Sequence, residues 1–378
     1  MHSSPAAGRP TGLTQLASPS WHTAAELASG GATRAAVDQE ALASPIYSPC
    51  VAHTSAGTSP GLRRGRRHRL VDIHEMSIDV VVVNFHSAPL IGRTLEVARE
   101  FGGESARIIM VDNSPSDGAA RLVRRAEPDA VVITNPGNRG YAAAVNQAMA
   151  VAHADTVLLL NPDVQRITGG ATEIAHAFRD PRIAAVVPRL VSPDGSLQRS
   201  CRRVPRPFDL LSEDVALAER FPGWQRPRRY RMLDWNYRDC RRVDAATGAC
   251  LFLRRAAVAD VGPFDERFFL YYEETDWMIR AKARGWETLY LPSVEAVHVS
   301  EGSSPGSDSR PSMLLLESQY RYARKHFGAG TTMLLRAVLL GIDSARLARY
   351  AVAGRGNARV AALGRIGVHL TTRAPRPV

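Results

Sequence analysis

The chain has 378 residues, 45% of them hydrophobic, enough for one large globular domain or two ordinary ones. No uninterrupted apolar run approaches the roughly 18 residues of a membrane-spanning helix. The net charge is +11, but twelve basic residues lie between Arg310 and Val378 against only Glu317 and Asp343. The rest is therefore nearly neutral, which excludes a surface coated in nucleic-acid-binding charge and points to a basic tail with an anionic partner.

Residues 1–75 are rich in Ala, Ser, Gly, Pro and Thr without periodicity, and read as a disordered arm. No signal-peptide core stands near the start. The run Leu62 to Leu70 reads as a solvated charge run, with a membrane or nucleic-acid contact as the alternative, and Met76 is an alternative start. From Ser77 the pattern changes. Ile78 to Asn84 reads as a buried parallel strand. A helix follows over Pro89 to Phe101, then a strand over Ala106 to Asp112 and a helix over Asp117 to Ala126. Ala130 to Thr134 is a third strand. After the loop Asn135 to Gly140, Tyr141 to Ala152 is an Ala-rich helix and Thr156 to Leu160 a fourth strand. This alternation predicts an α/β fold with a mostly parallel, Rossmann-like sheet flanked by helices.

Beyond Asp163 the alternation weakens. Ile183 to Val187 is a strand, Ser200 to Arg242 an irregular excursion, and Thr247-Gly248-Ala249 a small-residue step before an apolar strand. Glu273 to Arg284 is a helix with Gly285 as its C-cap. Thr288 to Pro292 is a last strand, followed by Val297-His298-Val299. The cysteines (Cys50, Cys201, Cys240, Cys250) form no CxxC and read as free thiols in a reducing compartment. The domain expectation is an arm over 1–75, a catalytic domain over 76–305 and a basic amphipathic helical tail over 306–378.

In parallel α/β sheets ligands bind beyond the carboxyl ends of the strands. Asn84, Asp112, Asn113, Asn138 and Asp163 all fall at or just past such ends. Asp112 is placed to accept the imide N–H of a pyrimidine. Arg139 can neutralise a base carbonyl or a phosphate. Asn138 and Gly140 stand where a helix starts, so bare amides and the helix dipole can face an anion. Asp163, in the turn Asn161-Pro162-Asp163, can take a divalent cation that bridges a diphosphate, and His298 is the candidate second ligand. Glu273, Glu274 and Asp276 follow the aromatic run Phe268 to Tyr272, where desolvation raises a carboxyl pKa toward that of a general base. Helical spacing places Glu273 and Asp276 on one face and Glu274 about 100° away. The competing reading is three first-turn acids that complement the helix dipole.

The motifs DVVVVNFHSA, VDNSPSDGA, NPGNRGYAAAVNQAM, LLLNPDV, DGSLQRSCRR, TGACLFLRR, GPFDERFFLYYEETDWMIRAKARGW and AVHVSEGSS, in that order, resemble glycosyltransferase family 2, over roughly Ile78 to Ser304. The NPD variant is similar to bacterial rhamnosyltransferases of cell-wall and polysaccharide assembly. The resemblance implies the GT-A fold, an inverting reaction, a nucleotide-sugar donor (dTDP-L-rhamnose, or another dTDP or UDP sugar) and Mg²⁺ or Mn²⁺. It implies that Asp112 contacts the base, that Asn138 and Arg139 line the nucleotide, and that Asp163 takes the place of the metal-binding aspartate. It further implies that Glu274 is the catalytic base, with Glu273 and Asp276 as supports, and that His298 helps hold metal or diphosphate. Asn161 departs from the family's first metal-motif acid, and Glu274 stands where Asp is commoner.

Apolar residues in Met333 to Val352 interleave with Arg336, Arg346 and Arg349. That suits a helix in the interface of an anionic membrane, and equally one packed on the catalytic domain or in a dimer contact. The expected protein is cytoplasmic, with peripheral attachment to the inner face of the membrane where the acceptor is a lipid-linked saccharide or polysaccharide. No nucleic-acid partner is expected. Galactofuranosyl and other hexosyl transfer, nucleotidyl transfer and a non-catalytic membrane-binding role are the competing functions.

Overall fold

Residues 77–103, 106–299, 310–354 and 356–371 are described by the computed structural model; the expected arm, Cys50 and Met76 lie outside them. The chain opens with β1 (Ile78–Asn84), α1 (Ala88–Gly102), β2 (Arg107–Asp112), α2 (Ala119–Ala126), β3 (Val131–Thr134), α3 (Tyr141–Val151) and β4 (Thr156–Leu160). It continues through β5 (Val164–Thr168), α4 (Ala171–Ala177), β6 (Ile183–Val191), β7 (Leu197–Gln198) and β8 (Cys201–Arg202). Short helices α5 (Pro207–Asp214), α6 (Leu217–Arg220) and α7 (Gln225–Tyr230) form the excursion. Then come β9 (Arg241–Val243), β10 (Ala245–Ala246), β11 (Cys250–Arg254), α8 (Arg255–Val261), α9 (Glu273–Ala283) and β12 (Glu287–His298). Helices α10 (Arg310–Val352) and α11 (Gly356–Leu370) close the described chain.

The main sheet has the order β3-β2-β1-β4-β11-β6-β12-β5. Strands β3, β2, β1 and β4 are parallel, as are β6 and β12, while β11 is antiparallel to both of its neighbours and β5 to β12. The mixed α/β architecture expected from the alternation is therefore present. The antiparallel β11 has a consequence for the site. Because it runs against β4, its leading residues Thr247-Gly248-Ala249 arrive at the carboxyl edge of the parallel strands, where Ala249 accepts a hydrogen bond from the Asn161 amide at 2.9 Å.

Side chains alternate across a strand, so β1 feeds two cores. Val80 and Val82 pack on one face with Ile91 and Leu95 of α1, and Val81 packs on the other with Val145 of α3 and Trp277 of α9. A third core joins the tail to the domain: Leu316, Tyr320 and Tyr322 of α10 pack against Leu210, Phe268 and Tyr272. The chain turns within α10 at Gly328, whose φ is 81°.

Three features differ from the expectation. Strand β5 and helices α4 and α8 appear where no element was expected, because each is short and only partly apolar. Strand β12 runs through Pro292 as one element, since a register shift between Leu291 and Glu295 absorbs the proline. Cys240 is disulfide-bonded, which corrects the reading of four free thiols; Cys201 and Cys250 are free and buried.

The tail is also locked by charge. Asp343, fully buried, accepts from Arg346 at 2.7 Å, Arg365 at 2.8 Å and His369 at 2.9 Å, and both arginines also reach Asp214 of α5. Burial opposes ionisation of Asp343, but the His369 hydrogen bond and the arginine charges prevail and hold its pKa at about 2. Asp343→Ala would remove the acceptor that Arg346, Arg365 and His369 share, leaving only Asp214 to the two arginines. It is expected to cost about 3–5 kcal/mol, read as a lower denaturant midpoint.

Candidate active site

The carboxyl edge of the sheet begins with a network around Asn84. Its side-chain amide donates to Asp112 Oδ1 at 2.9 Å, Ser114 Oγ at 3.1 Å and Asp117 Oδ2 at 3.0 Å. Asn84 is therefore committed within the protein and serves to place Asp112. The Ser114 amide also donates to Asp112 Oδ1, at 2.9 Å, whereas Asp112 Oδ2 is buried without a partner. Such an atom is costly unless something else supplies a donor. Asn113 spans to the next loop, donating to the Gly140 carbonyl at 3.3 Å and accepting from Asn135 at 2.8 Å.

At the start of α3 two of the amides are already taken. The Gly140 N–H donates to Asn138 Oδ1 at 2.8 Å and the Tyr141 N–H to the Phe269 carbonyl at 2.7 Å. Gly140 has φ 87°, and a Cβ there would lie 2.6 Å from Phe269 O. Both the left-handed backbone and the close approach require glycine. Arg139 is exposed beside this junction.

The junction aims the acids. Past Phe269 the chain turns through Tyr271 and Tyr272, with φ of 70° and 69°. Two successive bulky residues in the left-handed region are strained, as is common at functional sites. Helix α9 starts immediately afterwards. Glu273 and Glu274 are hydrogen-bonded to each other, and each keeps a buried Oε2 without a partner. Burial, then the neighbouring Glu274 charge, pushes Glu273 well above the usual carboxyl range. Burial also raises Glu274, but the backbone N–H groups of Glu274 itself, Gly248 and Thr275 and the bond from Glu273 pull it back.

Asp276 does something else, and the expected Glu273–Asp276 face is not the pairing formed. Asp276 turns away to Arg280 at 2.9 Å, Lys325 at 2.8 Å and His326 at 2.9 Å. Burial opposes its charge, yet the hydrogen bonds from His326, Lys325 and Arg280 outweigh it and hold the carboxyl below its ordinary range. It ties the acid helix to α10.

Across the cleft, Asp163 Oδ2 lies 3.2 Å from His298 Nε2, and Asp163 Oδ1 is buried without a partner. Gln198 donates through Nε2 to the His298 carbonyl at 2.7 Å and to Ser192 Oγ at 3.1 Å, which fixes its amide orientation. Its Oε1 then faces His298 Nδ1 at 2.8 Å, so the hydrogen of a neutral imidazole sits on Nδ1. Nε2 and Asp163 Oδ2 thus meet as two acceptors, which need a cation between them, a proton or a metal ion. This donor set fits a divalent metal, with Gln198 as the orienting partner behind the histidine. Among the described residues no group of three or more His, Cys, Asp or Glu gathers around an ion. Asn161 contributes its backbone to the turn, donating to Ala249 and accepting from Val164.

One cleft of ≈ 200 Å³ is lined by both Glu274 and His298, with Gln198, Arg199, Thr247 and Tyr271. The expected residues thus divide into a base pocket (Asp112), a cation pair (Asp163, His298) and an acid pair (Glu273, Glu274). Gln198, Gly248 and Tyr141 were not expected. The Tyr141 phenol is kept protonated first by burial and then by the nearby acids.

The profile of glycosyl transferase family 2 matches residues 79–260. The chain is also 31% identical over 250 residues to the N-acetylglucosaminyl-diphospho-decaprenol L-rhamnosyltransferase of Mycobacterium tuberculosis, covering 61% of this chain and 79% of that protein. The chain belongs to glycosyltransferase family 2. This transferase is more distantly similar, 24% over 197 residues, to the low-salt glycan biosynthesis hexosyltransferase Agl10 of Haloferax volcanii, covering 51% of this chain and 59% of that one. Among solved structures, a mannosyltransferase from Pyrobaculum calidifontis in complex with GDP-Man and Mn²⁺ aligns with a TM-score of 0.44 at 17% identity, covering 77% of this chain and 85% of that one.

The contact between Gly140 and Phe269 gives a direct test of how this transferase holds its acids. Gly140→Ala is expected to cost more than about 1 kcal/mol, seen as a lower melting temperature. Gly137→Ala, a site with nothing within 4 Å, serves as the control and stays near wild type.

Proposed function

We propose that this transferase moves L-rhamnose from dTDP-L-rhamnose, with inversion, to a hydroxyl of a lipid-linked saccharide or polysaccharide acceptor. The observation that carries the reading is the acid Glu274, with an unpartnered oxygen, lining the same cleft as His298. The rhamnosyl donor and the diphospho-lipid acceptor are proposed from the mycobacterial relative's name. A different hexosyl donor is the second reading, favoured by the hexosyltransferase relative.

In this scheme Asp112 Oδ2 accepts the imide N–H of the pyrimidine, while Arg139 and Asn138 border the nucleotide. Glu274 takes the proton from the acceptor hydroxyl as that oxygen attacks the anomeric carbon from the face opposite the diphosphate. Glu274 suits this because burial raises its basicity while backbone amides keep its ionised form accessible. Tyr141 stays a neutral phenol near these acids. Asp163 and His298 would hold Mg²⁺ or Mn²⁺, which when bound offsets negative charge on the leaving diphosphate. Gln198 keeps the His298 hydrogen on Nδ1 for that purpose.

The tail supplies the second partner, an anionic membrane surface. On α10 and α11, Met333, Leu334, Val360, Leu363 and Leu370 are exposed, as are Arg349 and Arg359, with no exposed acid among the described residues of these helices. Such a face suits an interfacial helix pair. Arg336 and Arg346, expected at the headgroups, instead bond inward to Thr371 and to Asp214 and Asp343. No helix of the described residues is long and apolar enough to cross a membrane.

Two outcomes test this. Glu274→Gln is expected to lose about 10²–10⁴-fold in turnover while nucleotide binding persists; near-wild-type turnover would remove Glu274 from the role. Leu334→Asp with Leu363→Asp is expected to abolish co-sedimentation with anionic vesicles, and unchanged sedimentation would sink the membrane contact.

A further inference from the structure

Glu273 and Glu274 are adjacent, hydrogen-bonded to each other, and differently placed. Glu274 lines the cleft, whereas Glu273 stands behind it and is only 4% exposed. Arg199, Arg202, Glu213 and His298 line the same cleft as Glu274, but among the described residues no ion pair is seen to join any of them to the two acids. Tyr141 of α3 and Tyr271 face the pair as neutral phenols, and Gly248 and Thr275 supply amides to Glu274. Among the described residues no Arg, Lys or His is seen bonded to either carboxyl; Arg280 of this helix and Lys325 and His326 of α10 go to Asp276, and Lys282 goes to Asp244. Two buried carboxylates in contact, without a counter-cation, cannot both be ionised. Glu274 takes the backbone N–H groups of its own residue, Gly248 and Thr275, whereas Glu273 takes only its own, so the negative charge belongs on Glu274 and the proton on Glu273.

We propose that Glu273 is a positioning residue that keeps its proton in the folded enzyme and donates it in a hydrogen bond to Glu274. It thereby holds that carboxylate ionised where it lines the cleft. This rests on the reading of Glu274 as the base. The desolvation that makes Glu274 basic would by itself leave it protonated and idle. A neutral donor at its back supports the charge without an ion pair, which would weaken it as a base.

The test uses Glu273→Gln and Glu273→Leu in the full chain. Gln presents the same donor without a charge, so the acid limb of the pH–rate profile should stay in place. Leu removes the donor, and the limb should move to higher pH by about one unit or more. A purely structural role would lower stability in both variants and leave the limb unmoved.

Melting temperatures give a readout that needs no substrate. A carboxyl whose folded pKa is raised contributes stability at low pH that is lost as pH rises above its ordinary value, near 4.3. Wild type should therefore lose melting temperature relative to Glu273→Gln between about pH 5 and about pH 8. A gap that does not change with pH, or an acid limb that falls in Glu273→Gln, would show Glu273 ionised in the fold and overturn the proposal. A widening gap in a protein that transfers no sugar would leave the proton on Glu273 and count against the base role of Glu274 instead.

Discussion

The backbone contact between Gly140 and Phe269 sets the geometry of everything around it. On one side it fixes the start of α3, and through Asn113 and Asn135 the ends of the first strands. On the other it fixes the point from which the chain turns, through two left-handed tyrosines, into the acid helix. The Tyr141 amide, which an anion would otherwise use, is consumed in making this weld.

The site then sorts charge by what surrounds it. Three acids lie within the first turn of α9, yet they meet three fates. Asp276 receives three cations and is a strut to α10. Glu274 receives backbone amides and faces the cleft. Among the described residues Glu273 receives no cation and only its own backbone amide. Across the cleft Asp163 Oδ2 and His298 Nε2 face each other 3.2 Å apart, a pair that calls for a cation between them. Burial raises the stakes of every one of these choices, because a buried polar group must be paired or change its protonation.

Much of this was legible in the chain. The strands β1 and β4 fall where their apolar runs lie, and Asp112, Asp163 and His298 sit at the carboxyl edge as the alternation requires. What escaped were features that depend on non-local contact. Helical spacing pairs Glu273 with Asp276, but α10, some fifty residues further on, draws Asp276 away through Lys325 and His326. At the start of α3 the Gly140 amide is taken locally by Asn138, but the Tyr141 amide is taken by Phe269, a contact that no local pattern shows. Gln198 lies in the quoted DGSLQRSCRR motif, but its role appears only once the fold places it beside His298, a hundred residues away. For the tail arginines the pattern left a headgroup contact and packing on the domain equally open, and Arg336 and Arg346 prove to be internal ties.

The central claim is that one cleft, bounded by Glu274 and by Asp163 with His298, carries out a single displacement at the anomeric carbon. The anomeric configuration of the glycoside made from a nucleotide sugar of known configuration, determined by NMR, tests it most directly. An inverted product, formed by wild type and absent with Glu274→Gln, is predicted. A product that retains the donor configuration would contradict it.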